Sequence, residues 1–141
     1  NTHIQKFVGL NSKNSTYCTL EDILEETASN DIFLKIDIEG SEYRLLTTLV
    51  DYASRITGLV IELHDCDLHL IKIEHFIKNF DIRLVHVHAN NFGPIRSDDE
   101  LPVTLELTFS RYSERGDEID LPHRFDMPNN RFADEIKLKI I

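Results

Sequence analysis

Between residues 31 and 89 three short apolar runs, "DIFLKIDI", "GLVIELH" and "IRLVHVHA", alternate with two stretches of helical periodicity. No other feature constrains the fold as much. Runs of this length, rich in Ile, Leu, Val and Phe and bounded by polar residues, read as strands. In the first, Ile32, Leu34, Ile36 and Ile38 point one way and Phe33, Lys35, Asp37 and Glu39 the other. The stretch "EYRLLTTLVDYAS" places Leu45, Leu46, Leu49 and Val50 on one helical stripe, and "DLHLIKIEHFIKNF" does the same with Leu70, Ile73, Ile77 and Phe80. Gly40 permits a sharp exit from the first strand, and Ser41 is placed to cap the helix after it. Strand, helix, strand in succession gives βαβ units and a largely parallel sheet.

The flanks extend this plan. "IQKFVGL" reads as a short strand, and "TLEDILEETAS" as a helix with Thr19 as N-cap, Asp22 completing a capping box, and Leu20, Ile23 and Leu24 facing inward. After the loop "NFGPIRSDDELP" the run "VTLELTF" is a fourth strand, and the tail reads as an ordered loop ending in a last short strand. With no repeat, linker or low-complexity tract, residues 1–141 form a single α/β domain.

Charge and cysteine usage narrow the function. The net charge of −10 repels phosphate backbones, so nucleic acid is not an expected partner. No run approaches the roughly 20 apolar residues of a membrane span, and "NTHIQKFVGLNSKNS" lacks the layout of a secretory signal. Cys18 and Cys66 form neither a CxxC nor a disulfide framework and read as reduced thiols, which places the chain in the cytoplasm. The first residue is not methionine, so a processed chain or an excised fragment is expected.

The strand ends carry the chemistry. Lys35, Asp37 and Glu39 share a parity on the first strand, Glu62 and His64 on the second, His86 and His88 on the third, and Thr104, Glu106 and Thr108 on the fourth. Open α/β sheets bind ligands at the carboxyl ends of their parallel strands, so this polar set is a candidate site. Glu39 and Glu42 also suit a helix N-terminus, and for Glu42 that role suffices. Asp37 is different. Still within the strand, it would be a buried carboxylate that needs a partner, from Lys35 or from a ligand. The spacing around "HDCDLH" and "HVH" fits no zinc template, so no residue is assigned as a metal ligand. A metal-dependent enzyme using His64, His86 and His88 stays open as an alternative. The glycines at 9, 40, 58, 93 and 116 build neither a GxGxxG nor a P-loop, and no GxSxG occurs.

Taken in order, "TYCTLEDIL", "IFLKIDIEGSEYRLL", "GLVIELH" and "FDMPNN" resemble the FkbM-type methyltransferases, with "KIDIEGSE" the most specific stretch. The resemblance implies part of a Rossmann-like methyltransferase sheet, mostly parallel with an antiparallel C-terminal strand. The four main runs would be strands four, five, six and seven in the spatial order 3-2-1-4-5-7-6. It implies transfer of a methyl group from S-adenosylmethionine to a hydroxyl of a sugar, glycan or secondary metabolite. Asp37 and Glu39 would lie on the cofactor side, and Asp37, His64 and His86 would be the catalytic set. Glu39, His64 or His86 would face the acceptor, and Glu62, His88, Asn90 and Glu106 would bind it.

The glycine-rich loop after strand one and the ribose-binding acid after strand two have no counterpart in these 141 residues. The expectation is therefore a C-terminal part of the domain that binds the methyl donor weakly or not at all by itself. The open edge of the strand at residues 32–38 would pair with a second copy or a partner. A non-catalytic binding or assembly domain of the same descent is the other alternative.

Overall fold

The computed structural model describes residues 5–12, 15–114 and 121–138. Its main sheet has four strands: β3 (Ile32–Ile36), β4 (Ile56–Leu63), β5 (Arg83–Ala89) and β6 (Leu105–Ser110). Their spatial order is β3-β4-β6-β5. β3 pairs parallel to β4, and β6 runs antiparallel to both β4 and β5. Three strands therefore point one way and the last in sequence runs against them. The chain is a mixed α/β structure with an open sheet. A separate two-stranded piece, β1 (Phe7–Val8) beside β2 (Tyr17–Cys18), precedes it.

Among the described residues three α-helices accompany the sheet: α1 (Leu20–Glu26), α2 (Leu46–Asp51) and α3 (Cys66–Asn79). The capping box at α1 is complete: the Asp22 N–H donates to Thr19 Oγ1 at 2.9 Å and the Thr19 N–H to Asp22 Oδ2 at 2.8 Å. The other end of α1 is closed by Arg55, whose guanidinium donates to the carbonyls of Leu24, Thr27 and Ser29. Carbonyls at a helix end lack intrahelical partners, and a long cation can supply them from a distant segment.

The core lies between the helices and one face of the sheet. Leu59, Ile61 and Leu63 of β4, Leu107 and Phe109 of β6, and Leu49, Ile73 and Phe76 of the helices are all buried there. Phe76, Phe80 and Phe109 meet with ring centroids 4.8–5.6 Å apart and fasten α3 to β6. Two register shifts set which side chains reach this face. Pairing moves from Ile32↔Ile56 to Phe33↔Gly58, and from Leu84↔Phe109 to His86↔Thr108. An extra residue on one strand changes side-chain parity. Ile56 and Leu84 can thus join the core while Gly58 and His86 face the other way. Phe33 lies over Gly58, where an added Cβ would come within 2.6 Å of its ring.

Several sequence expectations are corrected. The helix expected over residues 42–54 is broken into a 3₁₀ turn at Glu42–Arg44, α2, and a second 3₁₀ turn at Ala53–Arg55. Ser41 makes no side-chain cap. The reason is local: the Glu42 side chain folds back onto the preceding turn rather than outward along a helix. On α3, Leu70 is 39% exposed and Phe76 is buried in its place. Residues 121–138 form turns and extended chain with no strand, and residues 139–141 of the expected last strand lie outside the described residues. No helix among the described residues is long and apolar enough to cross a membrane.

Candidate functional site

The face of the sheet away from α2 and α3 carries Phe33 over Gly58 at one end and polar side chains toward the other. Register brings Lys35 level with Val60, Glu62 level with Glu106, and Glu106 level with His88. Glu62 and Glu106 sit directly opposite one another, an arrangement that repels. Each is met by a different neighbour. Asn90 Nδ2 donates to Glu62 Oε1 at 2.8 Å, and Lys35 Nζ lies 3.5 Å from Glu106 Oε2.

At the carboxyl ends of β3 and β4 the polar groups converge. β3 ends at Ile36, and the chain turns through left-handed conformations at Glu39 (φ 54°) and Gly40 (φ 94°). Glycine adopts that region freely, while a residue such as Glu39 pays about 1–3 kcal/mol for it. Glu42 holds the turn. Its carboxylate is fully buried and accepts the Ile38 N–H at 3.0 Å and the Gly40 N–H at 3.1 Å. His64 follows β4 and reaches the same carboxylate, with Nδ1 3.2 Å from Glu42 Oε1. Its Nε2 faces Glu39 Oε2 at 3.4 Å and Glu62 Oε1 at 3.7 Å. The backbone there is fixed by Tyr43, whose hydroxyl donates to the His64 carbonyl at 2.6 Å, and by Asp65 in a left-handed conformation (φ 51°). Burial, followed by the neighbouring Cys66, holds the Tyr43 hydroxyl well above the usual phenol range. Burial also pushes the Cys66 thiol up to about 11.

Asp37, Glu62 and His64 come together here: one donor atom from each lies within 4.8 Å of the others. The expectation that Asp37 is buried within the strand is corrected. The strand stops one residue short of it, the turn carries it outward, and Asp37 is exposed with no hydrogen bond or ion pair among the described residues. The fully buried acid is Glu42, which the sequence reading took for a helix-start residue. Its distance from Gly40, two residues, was the available signal, since an acid there can reach back to the N–H groups of a left-handed turn.

The remaining site residues lie elsewhere on the same face. His86 is level with Thr108 and Val60, two strand spacings, about 10 Å, from β4. It does not join His64. Its Nε2 sits 2.9 Å from Asp126 Oδ1 without hydrogen-bond alignment. His88 Nε2 lies 3.4 Å from Glu135 Oε2, and the Glu135 Oε1 is buried without a partner. Asn91 ties the same segment down: its Nδ2 donates to the carbonyls of Asn130, Ala133 and Asp134, and its Oδ1 accepts the Asn130 N–H at 2.6 Å. His64, His86 and His88 thus do not form one metal-binding trio. The two β5 histidines pair with acids of residues 121–138, and no pattern within β5 itself announces such partners.

A concavity of about 490 Å³ opens on the helical side, between α2 and α3, lined in part by Val50, Ile71 and Phe76. Its titratable lining groups, Tyr43, Lys72 and His75, are not part of a convergent set like that at His64. Among the described residues, the convergent set of possible ligand groups is the carboxylate–imidazole cluster of Asp37, Glu62 and His64. No protein-family model, no curated protein and no solved structure matches this chain.

Proposed function

We propose that this chain is the acceptor-side, C-terminal part of an S-adenosylmethionine-dependent O-methyltransferase, acting on a hydroxyl of a sugar, glycan or secondary metabolite. The observation that carries this reading is the strand order β3-β4-β6-β5, with β6 inserted against the direction of its neighbours. That is the order 4-5-7-6 that a Rossmann-like methyltransferase sheet requires of its second half. The polar cluster at the carboxyl ends of β3 and β4 supports it further, because open α/β sheets bind ligands there.

The residues present fit one wall of a methyl-donor pocket. Asp37 is exposed, unpartnered among the described residues, and stands at the end of edge strand β3, beside the place strand one would occupy. The sulfonium of the donor supplies the driving force, so the protein's contribution is positioning and proton removal. Glu39, 85% exposed at its side chain and 3.4 Å from His64 Nε2, is the group that takes the acceptor's hydroxyl proton. Glu62, held by Asn90, lines the acceptor side. The same reading gives the free edge of β3 a partner, either a second copy or the first half of the sheet.

The test is transfer of labelled methyl from S-adenosylmethionine to a panel of polyol and glycan hydroxyls by the full natural protein. A positioned base contributes roughly 10²–10⁴ in rate, so Glu39→Gln should lower kcat by about that factor. Asp37→Asn should raise the KM for the donor. Full activity in both variants, or no transfer to any hydroxyl, refutes the reading.

A further inference from the structure

The cluster at the ends of β3 and β4 supports a second inference, independent of methyl transfer. Asp37, Glu62 and His64 offer two carboxylate oxygens and one imidazole nitrogen, all within 4.8 Å of one another. Donors bound to one ion at about 2.1 Å lie no more than about 4.2 Å apart. The difference is at most about 0.6 Å, and Asp37, exposed and unpaired among the described residues, can close it by a change of rotamer.

The imidazole is held as metal-binding imidazoles are. A carboxylate only accepts hydrogen bonds, so the contact of His64 Nδ1 with the buried Glu42 places the ring hydrogen on Nδ1. The lone pair of Nε2 then points toward Glu62 and Glu39. Ligating histidines commonly donate their other N–H to a carboxylate in this way, and ligating carboxylates are themselves hydrogen-bonded, as Glu62 is by Asn90. Charge points the same way. Asp37, Glu39, Glu42 and Glu62 surround one imidazole, and among the described residues no lysine or arginine pairs with any of them; Lys35 is turned to Glu106.

We propose that Asp37, Glu62 and His64 bind a divalent metal ion of the Mn²⁺ class, with Glu42 and Asn90 as positioning residues. The mixed oxygen and nitrogen donors suit Mn²⁺, which accepts carboxylates as readily as Mg²⁺ does and also takes imidazole. Three protein ligands leave positions on the exposed side for water or for an oxygen-bearing ligand.

Titration of the metal-stripped protein with MnCl₂, followed by calorimetry and by loss of the free Mn²⁺ resonance signal, tests this. One ion per chain should bind with a Kd well below about 1 mM. Asp37→Asn and His64→Gln should each weaken it at least about tenfold, and Glu42→Gln by about 10–100-fold at unchanged stoichiometry. Glu74→Gln, at an exposed ion pair on α3, should change nothing. Circular dichroism checks that each variant is folded; Asp37→Asn, at an exposed side chain, keeps the test decisive if the buried variants are not. Absence of saturable binding, or undiminished affinity in both Asp37→Asn and His64→Gln, overturns the proposal. A protein that transfers methyl groups after complete metal removal and binds no Mn²⁺ would overturn it too, leaving the methyltransferase reading intact.

Discussion

Removing the Glu42 carboxylate should unfasten the turn that presents the whole cluster. Two backbone N–H groups, of Ile38 and Gly40, donate to it at 3.0–3.1 Å, and the side chain has no solvent exposure. Hydrogen bonds to a charged acceptor contribute about 1.5–3 kcal/mol each, so the two donors set a range of about 3–6 kcal/mol. Gly40 and Asp37 border solvent, and water can reach part of the turn once the side chain is gone. Glu42→Ala should therefore cost about 2–4 kcal/mol. For a domain of this size that is a fall in Tm of roughly 6–12 °C. Glu42→Gln keeps the volume and one acceptor oxygen and should cost about half as much. Urea denaturation gives the free energies, and imidazole ¹⁵N spectra of His64 report whether Nδ1 keeps its hydrogen. A Glu42→Ala protein within about 0.5 kcal/mol of wild type, the range of an ordinary surface change, would refute the account of this turn.

Three further outcomes are expected. Cys66 ionises at about 11 in the fold against an ordinary 9.0, and Tyr43 is raised from 10.0. The stability Cys66 contributes is complete below about pH 9 and is lost as pH rises through about 11; that of Tyr43 persists to higher pH. Stability should fall more steeply over that window in wild type than in Cys66→Ala, and matching pH profiles would contradict the assignment. Asn91→Ala should release residues 121–138 to limited proteolysis ahead of the sheet; an unchanged cleavage order would show that the His86 and His88 pairs suffice to hold that segment. Solution scattering at high concentration should reveal self-association through the open edge of β3. A strictly monomeric protein would count against pairing there.

The sheet was legible because its physics is local. Alternation of period two separates Lys35, Glu62, His88 and Glu106 from the core residues beside them, and the register keeps them on one face. The helices were less legible. Residues 42–54 carry an apolar stripe that a helix would bury, yet the bonds of Glu42 to a turn behind it override the pattern. Asp37 was misplaced because a one-residue difference in strand length decides between burial and exposure. The pairs His86–Asp126 and His88–Glu135 span 40 and 47 residues, and nothing in either segment alone encodes the meeting.

The position of β6 has a consequence for synthesis. It is made after β4 and β5, yet it lies between them. A nascent chain that has emerged only as far as Ala89 can join β3 to β4 but leaves one edge of β4 bare, and β5 has no partner. That edge contains "LVIEL", apolar and suited to pairing with a neighbouring chain. The sheet closes only when residues 105–110 leave the ribosome, so the interval of greatest aggregation risk is the time taken to translate about 20 residues. At 5–20 residues per second that is roughly one to four seconds. Pausing within the loop between β5 and β6 should lower the yield of folded protein more than pausing after Ser110.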